Sequence, residues 1–237
     1  MSDDSSNKPK GVKKPWGIVG GTFFGLLALL GPAYILAPAL QATLPLLPVS
    51  LNLKLSIADT LLIAISFLLV NLAIFAYGKN LGSIGFTKIN WRHVGLAGGA
   101  FVLYFILSAF LANTIHYILP YNQDQPQLLG YNGLNGLEIA AAFIPLVILT
   151  PLAEETIFRG FMFTGFRRHL PFWAAAIGVS AIFGLAHGQV NVGLDVFVMS
   201  MVSCYLRETT KSLWPSIFLH AIKNGVAFCL LYLYNGH

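Results

Sequence analysis

Apolar runs of about twenty residues recur along this chain, and few charges interrupt them. A helix needs roughly 20 apolar residues to cross a hydrocarbon layer of about 30 Å. Inside lipid, every backbone N–H and C=O must find its partner within the structure. Those two conditions leave few folds open. Only 10% of the 237 residues are charged, against about 25% in a soluble domain. That is too few to cover a water-facing surface. A disordered chain, a disulfide scaffold and a collagen-like fibre are excluded as well. The expected fold is all-α, a polytopic bundle of transmembrane helices forming one membrane domain.

Spans are expected at 16–36, 57–77, 94–118, 137–166, 172–187, 190–207 and 213–234. The fourth stretch is about 45 Å long at 1.5 Å per residue, too much for one upright crossing. It either tilts and projects, giving seven spans, or breaks near Pro151, giving eight. Ala37-Pro38-Ala39 is a weak cleavage site for a signal peptide, so a retained first span is expected.

The net charge of +5 comes from 14 Lys+Arg against 9 Asp+Glu. These basic residues flank the apolar runs in short clusters, which fits topology signals and gives no face for nucleic acid. With the amino terminus in the cytoplasm, the inner segments hold Lys8, Lys10, Lys13, Lys14, Lys79, Lys88, Arg92, Arg167, Arg168, Arg207 and Lys211, while the outer ones hold only Lys54. Residues 1–15 form a solvated cytoplasmic tail on this reading. Cys204 and Cys229 lie in apolar stretches and are expected to pack as small hydrophobes.

Ionisable groups inside a span are expensive to keep there and mark candidate functional sites. Three places stand out. Glu154 and Glu155 are adjacent, so they face about 100° apart on a helix; Glu155 and Arg159, four residues apart, share a face and can pair. Phe183 and His187 close the fifth span. His220 and Asn224, again four apart, present an imidazole and a carboxamide on one face. Lys223 points off that face and is read as snorkelling or pairing with a carboxylate.

One carboxylate, two imidazoles and a carboxamide from three helices can converge on a single water. A carboxylate kept partly dry becomes a competent general base near neutral pH. His220 and Asn224 have the donors to stabilise an oxyanion. The implied chemistry is hydrolysis of an acyl bond, a peptide bond above all.

These pieces, EExxxR at Glu154, Glu155 and Arg159, FxxxH at Phe183 and His187, and HxxxN at His220 and Asn224, resemble the CAAX-protease and bacteriocin-processing family of intramembrane proteases. Ser212-Leu213-Trp214-Pro215-Ser216 is similar to that family's approach to its third motif. The resemblance covers roughly residues 137–234. It implies a catalytic core at 137–237 behind amino-terminal helices at 16–136, with a polar cavity opening towards the cytoplasm. It further implies endopeptidase activity on a membrane-associated peptide or a lipidated, prenylated or signalling protein. In the roles it implies, Glu154 and His187 activate water, His220 and Asn224 bind the oxyanion, Glu155 with Arg159 holds the geometry, and Phe183 packs. The expected setting is the plasma membrane of a bacterium or archaeon.

No cofactor is required by the sequence. If zinc is held, Glu154, His187 and His220 would supply its three protein ligands. The HExxH pair that makes zinc specific is missing, and Asn224 suits a metal-free glutamate mechanism better. Two other functions compete. A non-enzymatic membrane immunity or scaffold protein would not need all four polar groups. A transporter would spread its charges along a path and show an inverted repeat, which is not visible here.

Overall fold

The computed structural model describes residues 16–118 and 130–234; the expected tail at 1–15 lies outside them. The described residues form only helices and short connections. In chain order these are α1 at Ile18–Thr43, α2 at Leu51–Ala76, α3 at Trp91–Ile118 and α4 at Gly136–Arg167. They continue with α5 at Phe172–Ala186, α6 at Val190–Thr210 and α7 at Trp214–Phe228, which runs on as a wider π-wound end over Cys229–Tyr234.

Among the described residues, six helices are long and apolar enough to cross a membrane. The exception is α5, whose 15 residues measure about 22 Å at 1.5 Å each. The fifth expected span, 172–187, is thus a short helix packed along α6. The alternative of eight helices is not taken, because α4 passes Pro151 without a break.

Pro151 has no N–H to give, and α4 accommodates it by winding wider. Ile144–Leu149 and Thr156–Met162 are π-helical, with the Thr150 N–H reaching back five residues to the Pro145 carbonyl. Between them lies one α turn, Thr150–Glu155, which carries both glutamates. Such π segments occur often at functional sites.

Capping and close contacts fix the ends. The Ser50 hydroxyl accepts the Leu53 N–H at the start of α2, and the Asn90 side chain accepts the His93 N–H at the start of α3. Glu138, in the first turn of α4, accepts from Asn52 at 3.0 Å and from the Ser50 hydroxyl. This joins α4 to α2 at one end of the bundle. At the other end, the Leu213 N–H donates to the Gly85 carbonyl, the Trp214 indole N–H donates to Thr87, and Arg167 pairs with Glu208 at 2.8 Å. Arg168 reaches back to the Trp16 carbonyl at 2.6 Å. Lys79, Lys88, Arg92, Arg167, Arg168, Arg207 and Lys211 therefore gather at one end, and Lys54 lies at the opposite one.

Small residues set the closest helix approaches. A Cβ on Gly184 would lie 2.8 Å from the Gly193 carbonyl oxygen, so α5 and α6 touch through their backbones there. Trp16 stacks on Phe161 at 4.6 Å and donates its indole N–H to the Phe161 carbonyl, pinning the chain before α1 to α4. Cys204 is buried, in keeping with a packing role, whereas Cys229 is exposed on the surface of α7's end.

Candidate active site

The centre of the bundle holds a sealed polar triad. Glu155 Oε1 accepts from Arg159 Nη1 at 2.9 Å and from His220 Nδ1 at 3.0 Å. Glu155 and Arg159 have no exposed surface, and His220 retains 3%. The four-residue spacing on α4 brings the first two together; α7 brings the histidine. A buried carboxylate and guanidinium are tolerable only when they meet each other. The Arg159 guanidinium also lies 4.7 Å from the centre of the Phe183 ring, a cation–π contact.

Because an ionised carboxylate can only accept, His220 Nδ1 carries the proton of that bond. In the neutral imidazole this leaves Nε2 as an acceptor. Nε2 lies 3.9 Å from Glu154 Oε2. Glu154 keeps 19% of its side chain exposed, and its buried Oε2 has no hydrogen-bond partner within the protein. Two acceptors thus face each other across a gap too wide for a direct bond.

His187 follows the last residue of α5. Its Nδ1 donates to the Phe183 carbonyl at 2.8 Å, which leaves Nε2 as its free nitrogen. Its ring stands 4.9 Å from Phe183, and the same phenyl ring is 6.0 Å from His220. Phe183 is therefore the packed post between the two imidazoles. It also sits edge-on to Phe158 of α4 at 4.6 Å.

Asn224 is turned elsewhere. Its Nδ2 donates to the Leu146 carbonyl at 2.9 Å. In the π register that carbonyl would have accepted the N–H of residue 151, which a proline lacks. Asn224 replaces the missing donor, so one of its two N–H groups is committed to α4's backbone. Among the described residues, no three His, Cys, Asp or Glu side chains are grouped to hold a metal ion. Glu154, His187 and His220 are not grouped closely enough as placed to count as such a set, while the Nδ1 bond of His220 to Glu155 leaves its Nε2 free, as in histidines that ligate metals.

A second polar cluster lies beside the first, and the motif pattern gave no notice of it. Asp195 on α6 accepts on Oδ1 from the Tyr104 and Ser108 hydroxyls of α3, both at 2.6 Å. Its Oδ2 is 3.5 Å from Lys223 Nζ. Lys223 thus pairs with a carboxylate, one of the two readings its position allowed. The available signal was an acidic residue inside the sixth apolar stretch. Asp59 within α2, which accepts from the Tyr131 hydroxyl at 2.8 Å, was passed over in the same way.

Comparison with known proteins finds similarity over the part of the chain that holds these residues. Residues 136–226 match the family model described as type II CAAX prenyl endopeptidase Rce1-like. The "Putative membrane peptidase YdiL" of Bacillus subtilis is 31% identical over 86 residues, 34% of this chain and 35% of that protein. The "Uncharacterized protein YyaK" of the same organism is 28% identical over 148 residues, 58% of this chain and 47% of that protein. An "Uncharacterized 24.3 kDa protein" of Escherichia coli is 30% identical over 88 residues, 35% of this chain and 41% of that protein. The chain spans less than half the length of each of these relatives. No solved structure matches. Residues 136–226, which carry Glu154, Glu155, Arg159, His187, His220 and Asn224, are thus the part of the chain that is similar to the type II CAAX prenyl endopeptidase Rce1-like family.

Proposed function

We propose that the chain is an intramembrane endopeptidase that hydrolyses a peptide bond in a membrane-associated peptide or lipidated protein. The observation that carries this is the 3.9 Å separation of Glu154 Oε2 and His220 Nε2. A single water donating hydrogen bonds of about 2.8 Å to two acceptors holds them roughly 4–4.5 Å apart. A water seated there has both hydrogens occupied, and its lone pairs point outwards to a carbonyl carbon.

In this mechanism the water oxygen bonds to the peptide carbonyl carbon while Glu154 takes its proton. The C=O electron pair moves onto oxygen, and the second N–H of Asn224 stabilises that oxyanion. Glu154 then passes the proton to the amide nitrogen as the C–N bond breaks, releasing an amine and a carboxylic acid. Glu155 is the positioning residue for His220, and Arg159 balances the Glu155 charge. His187 offers Nε2 for proton movement near the leaving group. This assigns His220 to the water, where the family resemblance assigned it to the oxyanion.

The test is cleavage of a quenched fluorescent, S-farnesylated peptide ending Cys-a-a-X, with an unmodified amphipathic peptide as comparator, by the full chain in nanodiscs. Glu154→Gln lowers turnover by about 10²–10⁴, the usual size of a lost general base. His187→Ala and His220→Ala lower it too. Wild-type rates in all three variants would end the protease reading.

A further inference from the structure

At the basic end of the bundle, three cations have partners within the protein. Arg167 pairs with Glu208 at 2.8 Å, Lys211 reaches the same carboxylate at 3.6 Å, and Arg168 donates to the Trp16 carbonyl. Arg207, in the last turn of α6, differs from them. It is half-buried, and its Nε is sealed from the surface with no hydrogen-bond partner. The adjacent carboxylate is already spent, because Arg167 Nε and Nη2 take the two oxygens of Glu208. Glu208 acts on Arg207 through its charge alone, and among the described residues no carboxylate pairs with Arg207.

The seat of this guanidinium is built into the connection between α2 and α3. Gly85 has a φ of 109°, and a Cβ there would lie 2.9 Å from Arg207 Nε and 3.2 Å from Nη2. The guanidinium is laid against bare backbone, from which any side chain would push it. The connection is in turn fixed to the start of α7. The Gly85 carbonyl accepts the Leu213 N–H at 2.8 Å, the Thr87 and Ser212 hydroxyls are 2.8 Å apart, and the Trp214 indole donates to Thr87 at 2.7 Å. Lys88 follows Thr87 in the chain, and Lys211 lies one helical turn beyond Arg207. Three cations thus approach one junction, from the α2–α3 connection and from the end of α6.

A guanidinium drawn out of water without a counter-charge is costly, and what Arg207 lacks is an anion. Its planar fork matches two oxygens of a phosphate, and the lysines add point charges. We infer that Arg207, seated against Gly85 and flanked by Lys88 and Lys211, binds a phosphate group, carried by an anionic lipid headgroup or by a soluble phosphate. The place favours the lipid, since the end of a membrane-crossing helix lies at headgroup level and basic pockets between such helices take anionic headgroups. This site is separate from the two glutamates and does not depend on the peptidase reading.

The experiment follows thermal unfolding of the delipidated full chain in an uncharged detergent while phosphatidylglycerol, phosphatidylcholine or inorganic phosphate is titrated in. A ligand that binds only the folded state raises the midpoint. Phosphatidylglycerol is expected to raise the wild-type midpoint, and phosphatidylcholine, whose headgroup carries its own cation, to raise it much less. In Arg207→Gln the phosphatidylglycerol concentration needed for half the rise increases about ten-fold or more, the order of one charge-assisted hydrogen bond. Arg207→Lys keeps part of the effect. Arg92→Gln, which removes an exposed cation at the start of α3, keeps all of it. Without ligand, Arg207→Gln unfolds no lower than the wild type, because the charge removed had no partner, and this midpoint reports that the variant is folded.

An Arg207-dependent rise with inorganic phosphate and none with phosphatidylglycerol would keep the site and assign it to a soluble ligand. A rise that survives Arg207→Gln, or no rise with either ligand, overturns the inference. So does an equal loss in Arg92→Gln, which would mark a diffuse charge effect. A lower midpoint for Arg207→Gln without ligand overturns it as well, since the protein itself would then satisfy that guanidinium.

Discussion

Two adjacent glutamates in this bundle have opposite energetic roles. Glu155 is sealed between Arg159 and His220, so removing its charge strands a buried guanidinium. Glu155→Gln is expected to destabilise the protein by about 3 kcal/mol or more, read as a lower thermal unfolding midpoint in detergent. Glu154 has a buried oxygen with no donor. Glu154→Gln therefore leaves the midpoint unchanged or raises it while activity falls. The difference between these carboxylates was visible in part from their 100° offset on a helix. That Glu154 turns to His220, with His187 standing behind Phe183, was not visible. It depends on how α4, α5 and α7 lean on one another, and a linear pattern carries no information about tilt. Asp195 was missed for a related reason: its partners Tyr104 and Ser108 are about ninety residues away and form no motif with it.

At the scale of elements, the apolar lengths gave nearly every helix, because hydrocarbon thickness dictates them. The internal winding of α4 was hidden, since residues 137–166 carry the same apolar character in an α or a π register. The one cue was Pro151, which suggested a break; the break is averted by the wider turns and by Asn224. This repair is testable. Asn224→Leu leaves the Leu146 carbonyl unpaired and is expected to cost about 1 kcal/mol, the lower end for a buried orphaned group. Adding Pro151→Ala supplies an N–H at that place and recovers the lost stability, measured by thermal unfolding. On the proposed mechanism activity stays low in the double variant, because the second N–H of Asn224 is still missing. Recovery of activity together with stability would assign Asn224 to architecture alone.

For the molecule as a whole, the basic connections meet at one end, held by contacts such as Arg167 with Glu208 and Trp214 with Thr87. On the positive-inside tendency that end is expected to face the cytoplasm. Single cysteines at positions 54 and 211, introduced with Cys229 replaced by serine, check this in intact cells. An impermeant maleimide is expected to label position 54 and spare position 211. The reverse pattern would invert the orientation.

The two π segments of α4 have a consequence for how this protein can vary. Each holds one residue more than an α-helix would need, and each residue turns the chain by roughly 100°. Glu138 docks on Ser50 and Asn52 at one end of α4, while Glu155 docks on His220 farther along. Both dockings hold only while the count of residues between them is kept. Substitutions there can be absorbed one at a time, but a one-residue deletion would spin one docking away from its partner. The helix behaves as a combination lock whose setting is its length.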